Sequence, residues 1–453
     1  MKIDDPTNHP FVAAPNKTLV QLSAAILIAL IAEPLTGLID TGFVAQLGTI
    51  PLAALGVGTI ALSSTFWLFS FLGIATQTEI AQALGKGNRR QAQQVASLAL
   101  VLGGLISVAL FMVMMPSANG IARLFGAEDA IQQSAVVYMR IRLLGLPPVL
   151  ATVAAFGILR GVQDMRTPLW IAVGINGCNI GLDWLLIFGT ESIAGQWFPP
   201  IPAMGVAGAA WASTISQWIG GVFAVWAVGR RLGFSRQVHW VELWSLFKMG
   251  RDLTLRTGVL MLYIVMATRT ATLAGAEAGA AHQVIRQVFI FTALTLEAFS
   301  TTAQSLIGYF HGADRLDLMK RVANVSLWWS VAAGTALTAG MIGLQEPLMR
   351  WMVPREAQTI FIHAWLISAL IQPINAIAFI TDGIHWGTGD YRYMRDAMFT
   401  ASLVGILTLW FIDVTSINAL LWIWASSSAW ITVRAVLGAI RVWPGVGDSP
   451  FKK

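Results

Sequence analysis

Apolar residues come in blocks of about 20 along this chain, the length a helix needs to cross the hydrocarbon core of a bilayer, and short polar loops divide the blocks. Roughly twelve such blocks follow one another as far as residue 441. The pattern predicts an all-α membrane protein with twelve transmembrane helices. A few polar residues interrupt it. "LIAEPLTGLIDTGFVAQLG" carries Glu33 and Asp40 with Pro34 between them, and "GINGCNIGLDWLLIFG" (174–189) carries Asn176, Asn179 and Asp183.

Composition agrees with the pattern. Of 453 residues, 56% are hydrophobic and 11% charged, too few charges to cover a water-soluble surface. Mean hydropathy is +0.67. The net charge of +6 is no footprint of nucleic acid, because the basic residues alternate with the spans. "GKGNRRQ" (85–91), "RGVQDMRTP" (160–168), the stretch 229–252, "HGADRLDLMKR" (311–321), "GDYRYMR" (389–395) and the tail "FKK" follow even-numbered spans, whereas "LGTIPLAALG" (47–56) and "LAGAEAGA" (273–280) carry no Lys or Arg. By the positive-inside rule both termini and the basic loops face the cytoplasm, and the expected location is a bacterial inner (plasma) membrane. The start of the chain lacks the basic region, apolar core and small-residue cleavage site of a secretory signal. The single cysteine, Cys178, excludes an internal disulfide, and no His/Cys/Asp cluster or Walker-type loop is present. No metal, cofactor or enzymatic activity is expected.

The two halves repeat. Gln77 falls on Gln304, Ile80 on Ile307 and Gly85 on Gly312, each 227 positions on. At an offset of 226, Gly157, Gly161, Asp164 and Arg166 fall on Gly383, Gly387, Asp390 and Arg392, and Pro147 falls on Pro373. The expected organisation is a cytoplasmic N-terminal segment (1–17), a six-helix lobe (18–228), a cytoplasmic linker (229–249), a second six-helix lobe (250–441) and a cytoplasmic tail (442–453). Six spans per copy give both the same orientation. The two bundles are therefore expected to be related by pseudo-twofold symmetry about the membrane normal, with substrate bound near the mid-plane between them.

Acids at bilayer depth cost about 2.5–3.5 kcal/mol each on insertion scales, so they face a bundle interior or a wet cavity and serve a purpose. Glu33 and Asp40 are two turns apart and share a helix face, and Pro34 removes a backbone donor where the helix can hinge. Asn176, Asn179 and Asp183 likewise form one stripe, able to bond one another or to hold a proton or small cation. Bonding to a neighbouring helix alone is the competing structural reading for each. Position 267, the counterpart of Asp40, is alanine, which places the coupling chemistry in the first lobe. The second lobe carries Arg256, Arg269, Arg286, Glu297, Asp382 and His385 instead. Glu297 is expected to pair with an arginine, while Asp382 and His385 belong either to the cavity or to the end of their span. In "RGVQDMRTPL", Arg160 and Asp164 are spaced i, i+4 and Thr167-Pro168 reads as a helix cap followed by proline, a rigid corner.

"EPLTGLIDTGFVAQLG", "GILRGVQDMRTPL", "NIGLDWLLIFG", "GVAGAAWASTISQ" and "AAHQVIRQ" resemble motifs of the multidrug and toxic compound extrusion (MATE) family, nearest to its DinF-type branch with its plant relatives. The resemblance spans almost the whole chain in the same order. It implies a monomeric antiporter that exports small organic compounds, cationic or amphipathic, against inward protons or sodium by alternating access. In such proteins the ion site lies on the first, fifth and sixth spans, which carries over to Asp40, Asn179 and Asp183. The family's threonine in "GAAxAT" is Ser213 here, in "GAAWAS", with Thr214 beside it. The expected coupling set is thus Asp40, Asp183, Asn179, Asn176 and Ser213. Glu33, Pro34, Thr214, Arg269, Glu297, Asp382 and His385 are candidates for cavity or gate. Three other readings stand beside proton antiport: sodium held by Asp40, Asn179, Asp183 and Ser213; export of organic anions, which Arg256, Arg269 and Arg286 would suit; and flipping of a lipid-linked substrate.

Overall fold

The computed structural model describes residues 6–189, 201–236 and 240–452; the outermost residues of both termini and part of the linker expected at 229–249 lie outside the described residues. The described residues are helical throughout their ordered elements, with no strand among them. The first half runs through Pro15–Ala45, Thr49–Leu68, Phe71–Gly85, Arg89–Leu124, Asp129–Leu143, Leu146–Gly161, Arg166–Phe188 and Val206–Arg231. The second runs through Trp240–Leu273, Ala276–Gly312, Leu316–Gly343, Gln345–Met352, Gln358–Leu370, Gln372–Thr388, Tyr391–Trp410 and Ala419–Val442. Among the described residues, six helices are long and apolar enough to cross a membrane, and two bent pairs raise the number to eight. With the remaining long helices between them, the chain order is that of twelve spans.

The bent pairs show the repeat in backbone form. Asp129–Leu143 meets Leu146–Gly161 at 51°, and Arg355–Leu370 meets Gln372–Thr388 at 45°. Each second helix opens with proline in its first turn, Pro147 in one and Pro373 in the other. Proline is preorganised to start a helix but cannot continue one from the preceding turn, so each span breaks at that point.

Matched glycines repeat the same packing. A Cβ placed on Gly161 would stand 2.8 Å from both Gln77 O and Ile80 Cβ, and one on Gly387 would stand 2.7 Å from Gln304 O and 2.9 Å from Ile307 Cβ. A Cβ on Gly157 would overlap Gly73 O, just as one on Gly383 would overlap Ser300 O. At the Gly85 turn the contact is reciprocal. Gly85 abuts Tyr309 O and Gly312 abuts Gln82 O, as two copies of one motif do around a local twofold. In lipid, where apolar burial adds little, such close backbone approach is a main source of helix association. Gly383→Ala is therefore expected to lower the apparent Tm of the purified protein by several degrees, an overpacking cost of about 1–3 kcal/mol. Gly340→Ala, with nothing within 4 Å of its Cβ, should leave the Tm unchanged or raise it; equal shifts for the two variants would refute this account.

The chain forms two compact units, one of residues 28–80 and 88–247, the other of 1–27, 81–87 and 248–453. Residues 18–27 and 81–87, which the sequence assigned to the first lobe, thus cluster with the second half. The Gly85–Gly312 crossing explains the second of these segments, and Leu19, buried in a core with Phe310 and Ile384, explains the first. In the 28–247 unit, one apolar core holds Val44, Leu62, Met114, Leu143, Leu146 and Ile187. Val44 lies one turn from Asp40, Ile187 one turn from Asp183, and Leu143 next to residue 142.

The corner at 160–168 differs in detail from expectation. Gly161 ends one helix and Gln163 takes a left-handed φ of 62°. Arg160 and Asp164 therefore share no helix, and the i, i+4 geometry does not apply. Asp164, two residues before the next helix begins, binds its first turn: its carboxylate accepts Thr167 N (3.0 Å) and Thr167 Oγ1 (2.7 Å), and it pairs with Arg231 Nε at 2.7 Å.

Candidate functional site

Asp183 is fully buried in the 28–247 unit, and Asp40 comes against it from the first helix. The two carboxyl groups stand in hydrogen-bonding contact. Among the described residues no other donor reaches either oxygen of Asp183 or Oδ1 of Asp40. Two ionised carboxylates have no hydrogen to share, so the contact becomes a bond only when one of them carries a proton. The arrangement can hold one proton between two oxygens, or present two negative charges to a cation.

The neighbouring polar residues divide into two groups. Asn179 Nδ2 donates to Ser213 Oγ at 3.4 Å, so the fifth and sixth spans meet one turn from Asp183. Thr214 points elsewhere, donating to Ile141 O at 3.2 Å. Ser213 and not Thr214 therefore stands with Asn179. Asn176 donates to Ala172 O of its own helix at 2.9 Å and is not bonded to the acids. Glu33 is exposed on the first helix. The helix runs unbroken through Pro34, flanked by Thr36 Oγ1 donating to Ala32 O (3.0 Å) and Thr41 Oγ1 to Gly37 O (2.7 Å). Hydroxyl back-bonding of this kind favours helix bending, here on either side of a missing backbone donor.

Arg142 escaped sequence reading. It lies in the last turn of Asp129–Leu143, just before the bend, and its charge acts on Asp40, Asp183 and Glu33. The signal was present: an arginine pair in "YMRIRLLGLPP", an otherwise apolar run ending at the span-breaking prolines.

The other unit contains a different kind of polar cluster. Asp382 is paired with both Arg256 and Arg434, the latter at 3.0 Å, and all three side chains are at most 7% exposed. Arg434 also lies over the Trp430 ring (4.7 Å) and Arg256 over Trp386 (5.1 Å). Glu297 accepts Thr301 Oγ1 at 3.5 Å, and its charge acts on Arg434. His385 bonds Gly438 O through Nε2 (3.1 Å), with Nδ1 3.7 Å from Asp390, which Arg441 holds through two nitrogens at 2.8 and 3.2 Å. Asp382 and His385 thus belong to a buried ionic core. Arg256 is committed to Asp382, Arg286 bonds Gln283, and Arg269 is exposed. Arg434, missed in the sequence, is the one charge within the last apolar run, "LLWIWASSSAWITVRAVLGAI".

The MatE family model matches residues 25–185 and 255–411. Among curated relatives, Protein DETOXIFICATION 44, chloroplastic, of Arabidopsis thaliana is 26% identical over 449 residues, covering 96% of this chain and 83% of its own length. DNA damage-inducible protein F of Escherichia coli K12 is 27% identical over 458 residues, covering 96% and 93%. An outward-facing multidrug resistance MATE family transporter has the same fold, with a TM-score of 0.84 at 19% identity over 94% of both chains. So does a MOP superfamily transporter from Pyrococcus furiosus, described by the reverse polarity of its binding pocket, with a TM-score of 0.84 at 19% identity over 97% of both chains.

Proposed function

The chain belongs to the MatE family, whose members move small organic compounds across membranes, and from that premise we propose that it exports organic cations in exchange for protons taken up by Asp40 and Asp183. The observation that carries this reading is the fully buried Asp183 facing Asp40 with no other donor among the described residues. Ionised, the pair favours a cation. Protonated, it loses both its mutual repulsion and its attraction for the cation, which is the differential binding an exchanger needs. Pro34, with the back-bonded Thr36 and Thr41, gives the first helix a place to bend when that charge changes. Protons suit the site better than sodium, which takes several oxygen ligands at once. Here Asn176 and Ser213 are engaged in bonds of their own, and Arg142 already supplies a positive charge.

The basic loops set the orientation in this reading: both termini lie in the cytoplasm, the protein works as a monomer in a plasma membrane, and protons enter from outside. Efflux of a fluorescent organic cation from proteoliposomes tests it. A pH gradient alone is expected to drive efflux and a sodium gradient alone to drive none. Flux driven by sodium alone, or by neither gradient, would overturn it.

A further inference from the structure

The proton-antiport reading leaves open how many protons each cycle moves, and Arg142 bears on that number. Its backbone is held on both sides by the sixth span, with Thr214 Oγ1 donating to Ile141 O at 3.2 Å and Trp218 Nε1 donating to Leu144 O at 3.1 Å. Nε and Nη1 of Arg142 are buried and have no acceptor among the described residues, so the guanidinium is not neutralised by a direct bond there. A position at the C-terminal end of a helix also favours a cation. The site therefore contains one fixed positive charge and two carboxyl groups.

The remaining groups do not alter this count. Asn179 and Ser213 are neutral, and among the charges of the sixth span Arg231 is committed to Asp164. Glu33 also feels Arg142, but its side chain lies at the surface of the unit and outside the contact between the two aspartates. With both aspartates ionised, the set of Arg142, Asp40 and Asp183 carries a charge of minus one. With one proton shared between them it is neutral, and with two protons it is plus one. Uncompensated charge is costly where water is largely excluded, as at the fully buried Asp183, and a second proton would create it beside the Arg142 guanidinium.

We infer that Arg142 limits the Asp40–Asp183 site to one proton per cycle, so that exchange with a monovalent organic cation is electroneutral and driven by the pH difference alone. This rests on the antiport reading, and the test separates the two. Purified protein is titrated with tetraphenylphosphonium in two buffers of different ionisation enthalpy, and the protons released per cation bound are read from calorimetry. The expected value is one for the wild type and for Arg142→Lys, and two for Arg142→Met. In vesicles, a potassium–valinomycin potential should leave wild-type flux unchanged. A wild-type count of zero overturns the antiport reading itself. A count of two, or flux that follows the imposed potential, leaves antiport standing and overturns the role given to Arg142. A count of one that stays at one in Arg142→Met also removes Arg142 from the account.

Discussion

Asp183→Asn is expected to reduce export driven by a pH gradient to the level of protein-free vesicles while leaving the protein folded. Asparagine keeps the shape of the side chain and the packing around Ile187, but it cannot take up a proton. The site then keeps one carboxyl and one guanidinium, whose charges balance in every step, so the proton gradient has nothing to act on. Stability should move the opposite way. The native pair sets two acids face to face with no other donor among the described residues, an arrangement kept for function at some expense of stability, so the variant should melt at the same temperature or higher. Because the two acids act as a unit, Asp40→Asn and the double variant should be no worse than Asp183→Asn alone. Robust transport by Asp183→Asn, or failure of that variant to fold, would sink this account. Efflux and apparent Tm measured on the same preparations decide it.

The second large effect belongs to the other unit and is one of stability. Asp382→Ala leaves Arg256 and Arg434, at most 7% exposed, without the carboxylate that both are paired with. Removing one partner of a buried ionic cluster costs about 3–5 kcal/mol, because the remaining charges stay desolvated. That is a large part of the roughly 5–15 kcal/mol that holds a domain folded. Loss of monodisperse protein in gel filtration is the expected result. Replacing the set together, Arg256→Met with Asp382→Leu and Arg434→Met, should recover folded protein, since an apolar substitute of similar volume is often neutral or better. If Asp382→Ala instead folded normally but failed to transport, the cluster would belong to the transport cycle and not to the scaffold.

Much of this was legible in the sequence, for identifiable reasons. A span must be apolar for about 20 residues whatever its neighbours are, so the helices could be read one at a time. Glycines that allow backbones to touch must recur wherever the contact recurs, so Gly161 and Gly387 marked the repeat before any contact was known. An acid in an apolar run is expensive anywhere in the membrane, so Asp40 and Asp183 stood out individually.

What the sequence by itself determined is therefore whatever each segment owes to the bilayer: the helices, the repeat with its matched Pro147 and Pro373, and the acids that need a reason to be there. Only the tertiary structure decided who meets whom. Ser213 and Thr214 are equally polar neighbours, but one residue is about 100° of helix rotation, which turns Ser213 to Asn179 and Thr214 to Ile141. Asp382 could have faced a cavity, and its partners Arg256 and Arg434 come from two other helices far along the chain. The arginine pair in "YMRIRLLGLPP" marks Arg142 as unusual but not what it faces, and its charge matters because the bend before Leu146 and the core of Val44, Leu143 and Ile187 bring its helix to the two acids. A charge acts through space on whatever the fold places beside it, and that proximity is set by packing between segments rather than by any one of them.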